Sequence, residues 1–437
     1  MRRIYLDYAA ATPLDPAVRT AMRPYEREKF GNPSSLHRFG QEASAAVFAA
    51  RRKVSGAIGA DPGCIIFTAS ATEANNLAIK GVVNGYRKFT GSRVQGLGFR
   101  KGEARKEKSL SPKPYPLNLR IVVAATEHES VLEPVRELAA RGAEVVSVPV
   151  SREGIIDVGA LHKAIDRRTA IVSVGNVNSE TGAIQPIAEI AKIIRDFRSA
   201  LNPSGYAPYP IFHTDAVQAL PYLDCAVNII GADLVTLSSH KIYGPKGAAA
   251  LYVRRDAAKR KAQSAGAKER FAVNDLLLAP LITGGNQEMG FRAGTENVPA
   301  IVGFGEAAAI AARERGSDAR HARRMRNRFL AELKSFWRGV ELNGPPPGLT
   351  RTPGNLNVYL PGISAAELLV RLDLGGVAAS AGSACAARTP VPSHVLRAMG
   401  LGADRAKGSI RFTVGRETTE REISGAIKVL KNIYQKL

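Results

Sequence analysis

Short apolar runs alternate with amphipathic stretches over the first two thirds of the chain. The runs Cys64–Thr68, Arg120–Ala124, Glu144–Val148, Ala170–Gly175, Ile211–His213, Asp233–Leu237 and Ala248–Val253 predict buried strands. Helical spacing predicts helices near Glu73–Arg87, Ser130–Arg141, Asp157–Arg167 and Ile187–Ser199. This alternation predicts an α/β fold with a mostly parallel sheet covered on both faces. Ligands of such sheets sit outside the carboxyl ends of the strands.

The texture changes after Thr295. Asn297 to Trp337 reads as one or two long helices rich in Ala and Arg, and Gly344-Pro-Pro-Pro347 then breaks the chain. A strand at Asn355–Leu360, a helix at Ala365–Leu374, a strand at Ser409–Val414 and a helix at Thr419–Leu437 follow. The expected organisation is a large domain over residues 15–298 and a smaller α+β domain from 1–14 and 299–437, with a cysteine loop at 380–393. Segments 86–119, 200–210 and 257–275, rich in Pro, Gly or basic residues, read as inserted surface loops.

Composition narrows the class. The chain has 437 residues, 45% hydrophobic and 23% charged, which suits a large globular protein. No apolar run approaches a membrane span, and Met1-Arg-Arg3 is followed by no signal-type apolar region, so a cytoplasmic protein is expected. Three cysteines make no disulfide framework and leave room for one reactive thiol. Net charge is +22, with nine Lys and Arg against two Glu in 86–119, five against one in 257–270, and seven Arg against two acids in 313–328. Such patches attract acidic partners, nucleic acid among them, but these lack the interleaved aromatics that stack bases.

The candidate chemistry centres on Lys241, in Ser238-Ser-His240-Lys241-Ile-Tyr-Gly-Pro-Lys-Gly247 after an apolar run. A lysine withdrawn from water loses part of its preference for the charged form, and its amine can form a Schiff base with an aldehyde cofactor. Asp215, in His213-Thr-Asp215-Ala-Val-Gln218, ends another apolar run. Lysine plus a distant aspartate is the minimal pair for pyridoxal phosphate: amine to aldehyde, carboxylate to ring nitrogen.

Other candidates each have a plainer reading. Thr68-Ala-Ser-Ala71-Thr72-Glu73 joins a strand to a helix and could bind a phosphate, or be a simple cap. His128 could stack on a cofactor ring or move a proton, or be a satisfied loop histidine. Asn178 could bind a ligand or shape the turn before Gly182. The Gly-rich stretch 284–297 could wrap a phosphate or cross a subunit interface. Cys385, among small residues, suits nucleophilic attack, whereas Cys64 and Cys225 adjoin apolar runs and read as packed. Arg411, on an otherwise apolar strand, needs an anion, either a substrate carboxylate or a structural partner.

Taken together, the chain resembles the cysteine desulfurases of the class V aminotransferase group. The resemblance rests on Tyr5-Leu-Asp-Tyr-Ala-Ala-Ala-Thr12, Gly31-Asn-Pro-Ser-Ser35, Ala71-Thr-Glu73, Glu127-His128, Ser239 to Gly247, Arg292-Ala-Gly-Thr-Glu-Asn-Val298 and Gly382-Ser-Ala-Cys385, all in the family's order. It implies an aminotransferase-like fold of type I, pyridoxal 5'-phosphate as cofactor, L-cysteine as substrate and no metal. Lys241 would carry the cofactor and shuttle the Cα proton. Asp215 would pair with the ring nitrogen, Gln218 with the phenolic oxygen, and His128 would stack on the ring. Ala71, Thr72, Ser238 and His240 would hold the phosphate, with Thr295 arriving from the neighbouring subunit of a homodimer. Arg411 and Asn178 would grip the substrate carboxylate. Cys385 would take the sulfur as a persulfide, releasing alanine, and pass it to an iron–sulfur scaffold or a tRNA-thiolation enzyme. The loop after Cys385 resembles the long-loop branch. Two other readings are a selenocysteine lyase or related class V enzyme, and a basic nucleic-acid-binding protein on a degenerate fold of this type.

Overall fold

The computed structural model describes residues 3–95, 119–202, 209–254, 278–382 and 393–437. Its strands are β1 (Ile4–Tyr5), β2 (Ile65–Thr68), β3 (Arg120–Ala124), β4 (Glu144–Val148), β5 (Thr169–Ser173), β6 (Ile211–Asp215), β7 (Leu234–Ser238), β8 (Ala249–Val253), β9 (Glu341–Leu342), β10 (Asn355–Tyr359), β11 (Val377–Ala378) and β12 (Ser409–Thr413). Its principal helices are α1 (Pro16–Met22), α2 (Pro24–Arg27), α3 (Arg38–Ala57), α4 (Ala71–Gln95), α5 (Glu129–Ala140), α6 (Val158–Ala164), α7 (Ile187–Leu201), α8 (Val227–Ile230), α9 (Val298–Phe336), α10 (Ala365–Leu374), α11 (His394–Ala398), α12 (Ala403–Lys407) and α13 (Glu420–Tyr434).

The apolar runs build a seven-stranded sheet in the order β2-β8-β7-β6-β5-β3-β4. Neighbours from β7 to β4 run parallel, and β8 is antiparallel to both β2 and β7. Alternate residues feed opposite faces, as the period of two requires. Val122, Val172, Phe212 and Val235 join one apolar core, whereas Ile121, Val123, Ile171, Ile211 and Leu234 join the other. Both faces are therefore dry, which is why these strands read as continuous apolar runs rather than as alternations.

Leu6, Met325, Phe329, Leu356, Val358, Ile410, Phe412 and Ile427 form a separate core. It packs around the antiparallel sheet β12-β10-β9 and the parallel pair β1-β11. A single helix, α9, serves both regions: Ala300 to Ala311 lie in the first core and Ala322 to Leu333 in the separate one. The Asn297 side chain caps it, and it ends at extended Trp337. Its 39 residues span about 58 Å at the α-helical rise.

One expectation needs correction. The segment 86–119 is not loop from its start, because α4 continues to Gln95. No proline interrupts the chain between Ala71 and Pro112, and tertiary packing anchors the turns of the helix before Arg87. Tyr86 meets Tyr209 edge-on at 4.8 Å, and Gly81 lets the Ala279 carbonyl approach where a Cβ would lie 2.8 Å from it. Residues 96–118 of that segment, residues 203–208 of the second and all of 257–275 lie outside the described residues. Helices α1 to α3 were not foreseen. Among the described residues no helix is long and apolar enough to cross a membrane.

Candidate active site

Strands β3, β5, β6 and β7 are parallel, so the segments leaving their carboxyl ends emerge on one side of the sheet. Those segments, the start of α4 and the stretch Ala9–Ala10 enclose a cavity of about 260 Å³. Ala71, Thr72, His128, Asn178, Asp215, Gln218, His240, Lys241 and Arg411 all line it.

Lys241 closes a single 3-10 turn, Ser239–Lys241, that follows β7 directly. The residue is half-buried, less withdrawn than expected, and its Nζ donates to the Ala9 and Ala10 carbonyls, each at 2.6 Å. Two residues on, Tyr243 adopts φ 64°, a left-handed conformation that is strained for a bulky side chain. Surrounding contacts hold it there. Its N–H donates to Thr12 Oγ1 at 2.8 Å, and its ring lies 4.5 Å under the Arg416 guanidinium.

Asp215 is the last residue of β6. Oδ1 accepts the Val217 N–H at 2.9 Å and Oδ2 accepts from Asn75 Nδ2 at 2.8 Å. The same amide nitrogen donates to Ser130 Oγ at 2.8 Å, and that hydroxyl lies 2.8 Å from His128 Nδ1. His128 caps α5, with Nδ1 accepting the Ser130 N–H at 3.1 Å. An acceptor Nδ1 leaves the ring proton of the neutral imidazole on Nε2. Burial lowers the His128 pKa against the opposing pull of Asp215 and so favours the neutral ring.

The preceding residue, Glu127, is fully buried. Its Oε1 accepts the Gly175 N–H at 2.6 Å. Burial pushes its carboxyl up to about 8, opposed by that hydrogen bond and assisted by the Asp215 charge. A neutral Glu127 spares Asp215 a like charge nearby.

At the start of α4, Ser70 Oγ accepts the Glu73 N–H and Glu73 Oε2 accepts the Ala69 N–H. The cap reading is therefore realised, yet the first-turn N–H groups of Ala71 and Thr72 have no protein acceptor among the described residues. Such N–H groups attract an anion. His240 Nδ1 lies 2.9 Å from Ser238 Oγ. Burial, with Lys241 and Lys246 nearby, lowers the His240 pKa to about 4, so the ring is neutral at pH 7. Ser238 is buried behind His240 and is not on the cavity wall.

Gln218 Nε2 donates to the Ala9 carbonyl at 2.9 Å. Asn178 shapes its turn: Oδ1 accepts the Glu180 and Thr181 N–H groups, and Nδ2 donates to the Thr126 carbonyl. Thr295 is exposed and off the cavity wall. Its loop is tied to α4 by Arg292 and Glu73 at 2.9 Å. Cys385 lies outside the described residues. Cys64 and Cys225 are buried, as their apolar neighbours predict, and burial pushes the Cys225 thiol up to about 12.

Sequence reasoning missed Asn75, Ser130, Glu127, Glu180 and His394 as wall or support. Asn75 sits one helical turn beyond Ala71, a spacing that could have flagged it. His394 Nε2 lies 2.9 Å from the Glu127 carbonyl and Ser393 Oγ donates to Glu180 Oε2 at 2.5 Å, contacts across more than 200 residues that no local pattern encodes. An amine, a carboxylate braced by two donors, an imidazole and two unsatisfied N–H groups around one cavity form a donor set that fits an aromatic aldehyde phosphate with a basic ring nitrogen.

The chain matches the Aminotransferase class-V family over residues 4–91 and 110–425. It is similar to cysteine desulfurase IscS of Dictyoglomus turgidum, 39% identical over 436 residues, covering 100% of this chain and 95% of that protein. It is also similar to the mitosomal cysteine desulfurase of Encephalitozoon cuniculi, 38% identical over 437 residues, covering 100% and 88%. Among solved structures, a NifS-like protein superposes with a TM-score of 0.81 at 30% identity, covering 100% of both chains. A NifS-like protein from Rickettsia africae superposes at 0.76 with 27% identity, covering 99% and 100%.

Proposed function

We propose how this chain, which belongs to the class-V aminotransferase family and is a pyridoxal-phosphate-dependent cysteine desulfurase, divides its reaction among the residues around Lys241. Pyridoxal phosphate supplies an aldehyde for an amine and a ring that draws electrons from a substrate Cα. Lys241 would bind that aldehyde and then shuttle the Cα proton. Asp215, braced by Asn75 and the Val217 N–H, holds a negative charge for the ring nitrogen. Gln218 would pair with the phenolic oxygen, and His128 would stack on the ring and serve in proton transfer. Ala71, Thr72 and His240 hold the phosphate, with Ser238 orienting His240 from behind. Thr295 of a second copy completes that end in a homodimer. Arg411 and Asn178 receive the substrate carboxylate.

Cys385, on the 380–393 loop of the smaller domain, attacks the substrate sulfur. The new S–S bond leaves a persulfide, the Cβ–S electrons remain on carbon, and protonation yields alanine. Sulfur then passes to an acceptor protein, either an iron–sulfur scaffold or a tRNA-thiolation enzyme, in the cytoplasm. The single observation that carries this reading is that Lys241, Asp215 and His128 line one cavity beside the open N–H groups of Ala71 and Thr72. The test is direct. Purified protein incubated with the cofactor should absorb in the visible range, and Lys241→Ala should abolish that band. Cys385→Ala should keep the band and stop alanine release from L-cysteine. Full alanine and sulfide release by the Cys385 variant would refute the sulfur-transfer route.

A further inference from the structure

Arg411 already has an anion. Its Nη2 donates to Asp7 Oδ1 at 2.9 Å and its Nη1 to the Ser179 carbonyl at 3.0 Å. The two charged side chains are 2% and 16% exposed. The third guanidinium nitrogen, Nε, is buried with no partner among the described residues. Asp7 is also held firmly. Leu6, just before it, is buried and donates its N–H to the Ala378 carbonyl at 2.9 Å. The Thr413 N–H donates to the Leu6 carbonyl at 2.7 Å, and Asp7 bridges Thr413, two residues beyond Arg411 on β12.

A buried guanidinium without a counter-charge is costly, so the folded chain gains from this pair before any ligand arrives. An entering carboxylate then meets a neutral pair, not a bare cation. It must share the guanidinium with Asp7 and is repelled by it. Alanine and cysteine carry the same carboxylate, so a weakened carboxylate contact loosens product and substrate alike.

We infer that Asp7 is a positioning residue that acts through Arg411: its fixed negative charge limits the grip of Arg411 on amino-acid carboxylates, so that alanine is released. This inference rests on the reading of Arg411 as the carboxylate site. The test uses the holoenzyme and three variants, with KM and kcat for L-cysteine and the dissociation constant of L-alanine from the cofactor's absorbance. Asp7→Asn keeps an acceptor oxygen for Arg411 and removes the charge. It should lower KM and the alanine dissociation constant by about tenfold, the scale of a screened charge pair a few ångströms apart, and lower kcat because alanine leaves more slowly. Asp7→Ala should shift both constants in the same direction. Arg411→Ala should raise both. If the Asp7 variants fold with both constants unchanged or raised while Arg411→Ala raises them, the inference fails and the Arg411 reading survives. If Arg411→Ala changes neither constant, the carboxylate-site reading fails. Loss of fold in both Asp7 variants also overturns the inference, since a charge needed only for folding sets no affinity.

Discussion

Replacing Glu127 by Gln should stabilise the protein, and increasingly so as pH rises. The unfolded chain releases this proton near the ordinary 4.5, whereas burial in the fold delays release to about 8. Between those values the folded state binds more protons than the unfolded one, so its stability falls with rising pH. Each pH unit in that window is worth about 1.4 kcal/mol. Raising the pH from 5 to above 8 therefore removes about 4 kcal/mol that glutamine, which never ionises, would retain. Glutamine can still offer an oxygen to the Gly175 N–H. For 437 residues, an unfolding entropy of roughly 2.1 cal/mol/K per residue turns 4 kcal/mol into about 4 °C. Thermal melts of the wild type and Glu127→Gln at several pH values should show nearly equal midpoints below pH 4.5 and a gap widening by about that amount above pH 8. A constant gap, or a variant less stable at high pH, would show that Glu127 is ionised in the fold and that the argument is wrong.

Asn75→Ala removes a hydrogen bond to a carboxylate, worth about 1.5–3 kcal/mol. It should weaken cofactor binding about tenfold, the lower end of that range, and spectrophotometric titration with pyridoxal phosphate measures this. Unchanged affinity would mean that Asn75 does not brace Asp215. Arg51 donates through both terminal nitrogens to Glu288, each at 2.7 Å, and the Glu288 side chain is 2% exposed. Arg51→Ala leaves that carboxylate buried and unpaired, so a loss of about 3–5 kcal/mol is expected in thermal or denaturant unfolding. A loss under about 1 kcal/mol would place the pair among the weak surface bridges.

Element type was legible wherever burial is two-sided. β3 matches its apolar run to the residue, and β2, β5, β6, β7 and β8 to within two at each end, because a strand covered on both faces needs apolar residues throughout, while the partly exposed edge strand β4 also matches its run. The end of α4 was not legible. Gly, Ser and Lys after Arg87 resemble loop residues, and the contacts that anchor the turns before them come from Tyr209 and Ala279, distant in sequence.

The residue types of the chemistry were set by the chain itself: an amine after a short apolar run, a carboxylate at the end of another, a thiol among small residues. What surrounds them was decided only by folding. Parallel strands deliver Ala124, Ser173, Asp215 and Ser238 to one edge. Asn75 then reaches Asp215 across 140 residues, and Asp7 reaches Arg411 across 404. Local pattern encodes direction and burial along one segment, whereas a hydrogen bond between segments depends on how their separate frames pack. Sequence therefore specified which groups could react, and tertiary structure specified which charges they meet.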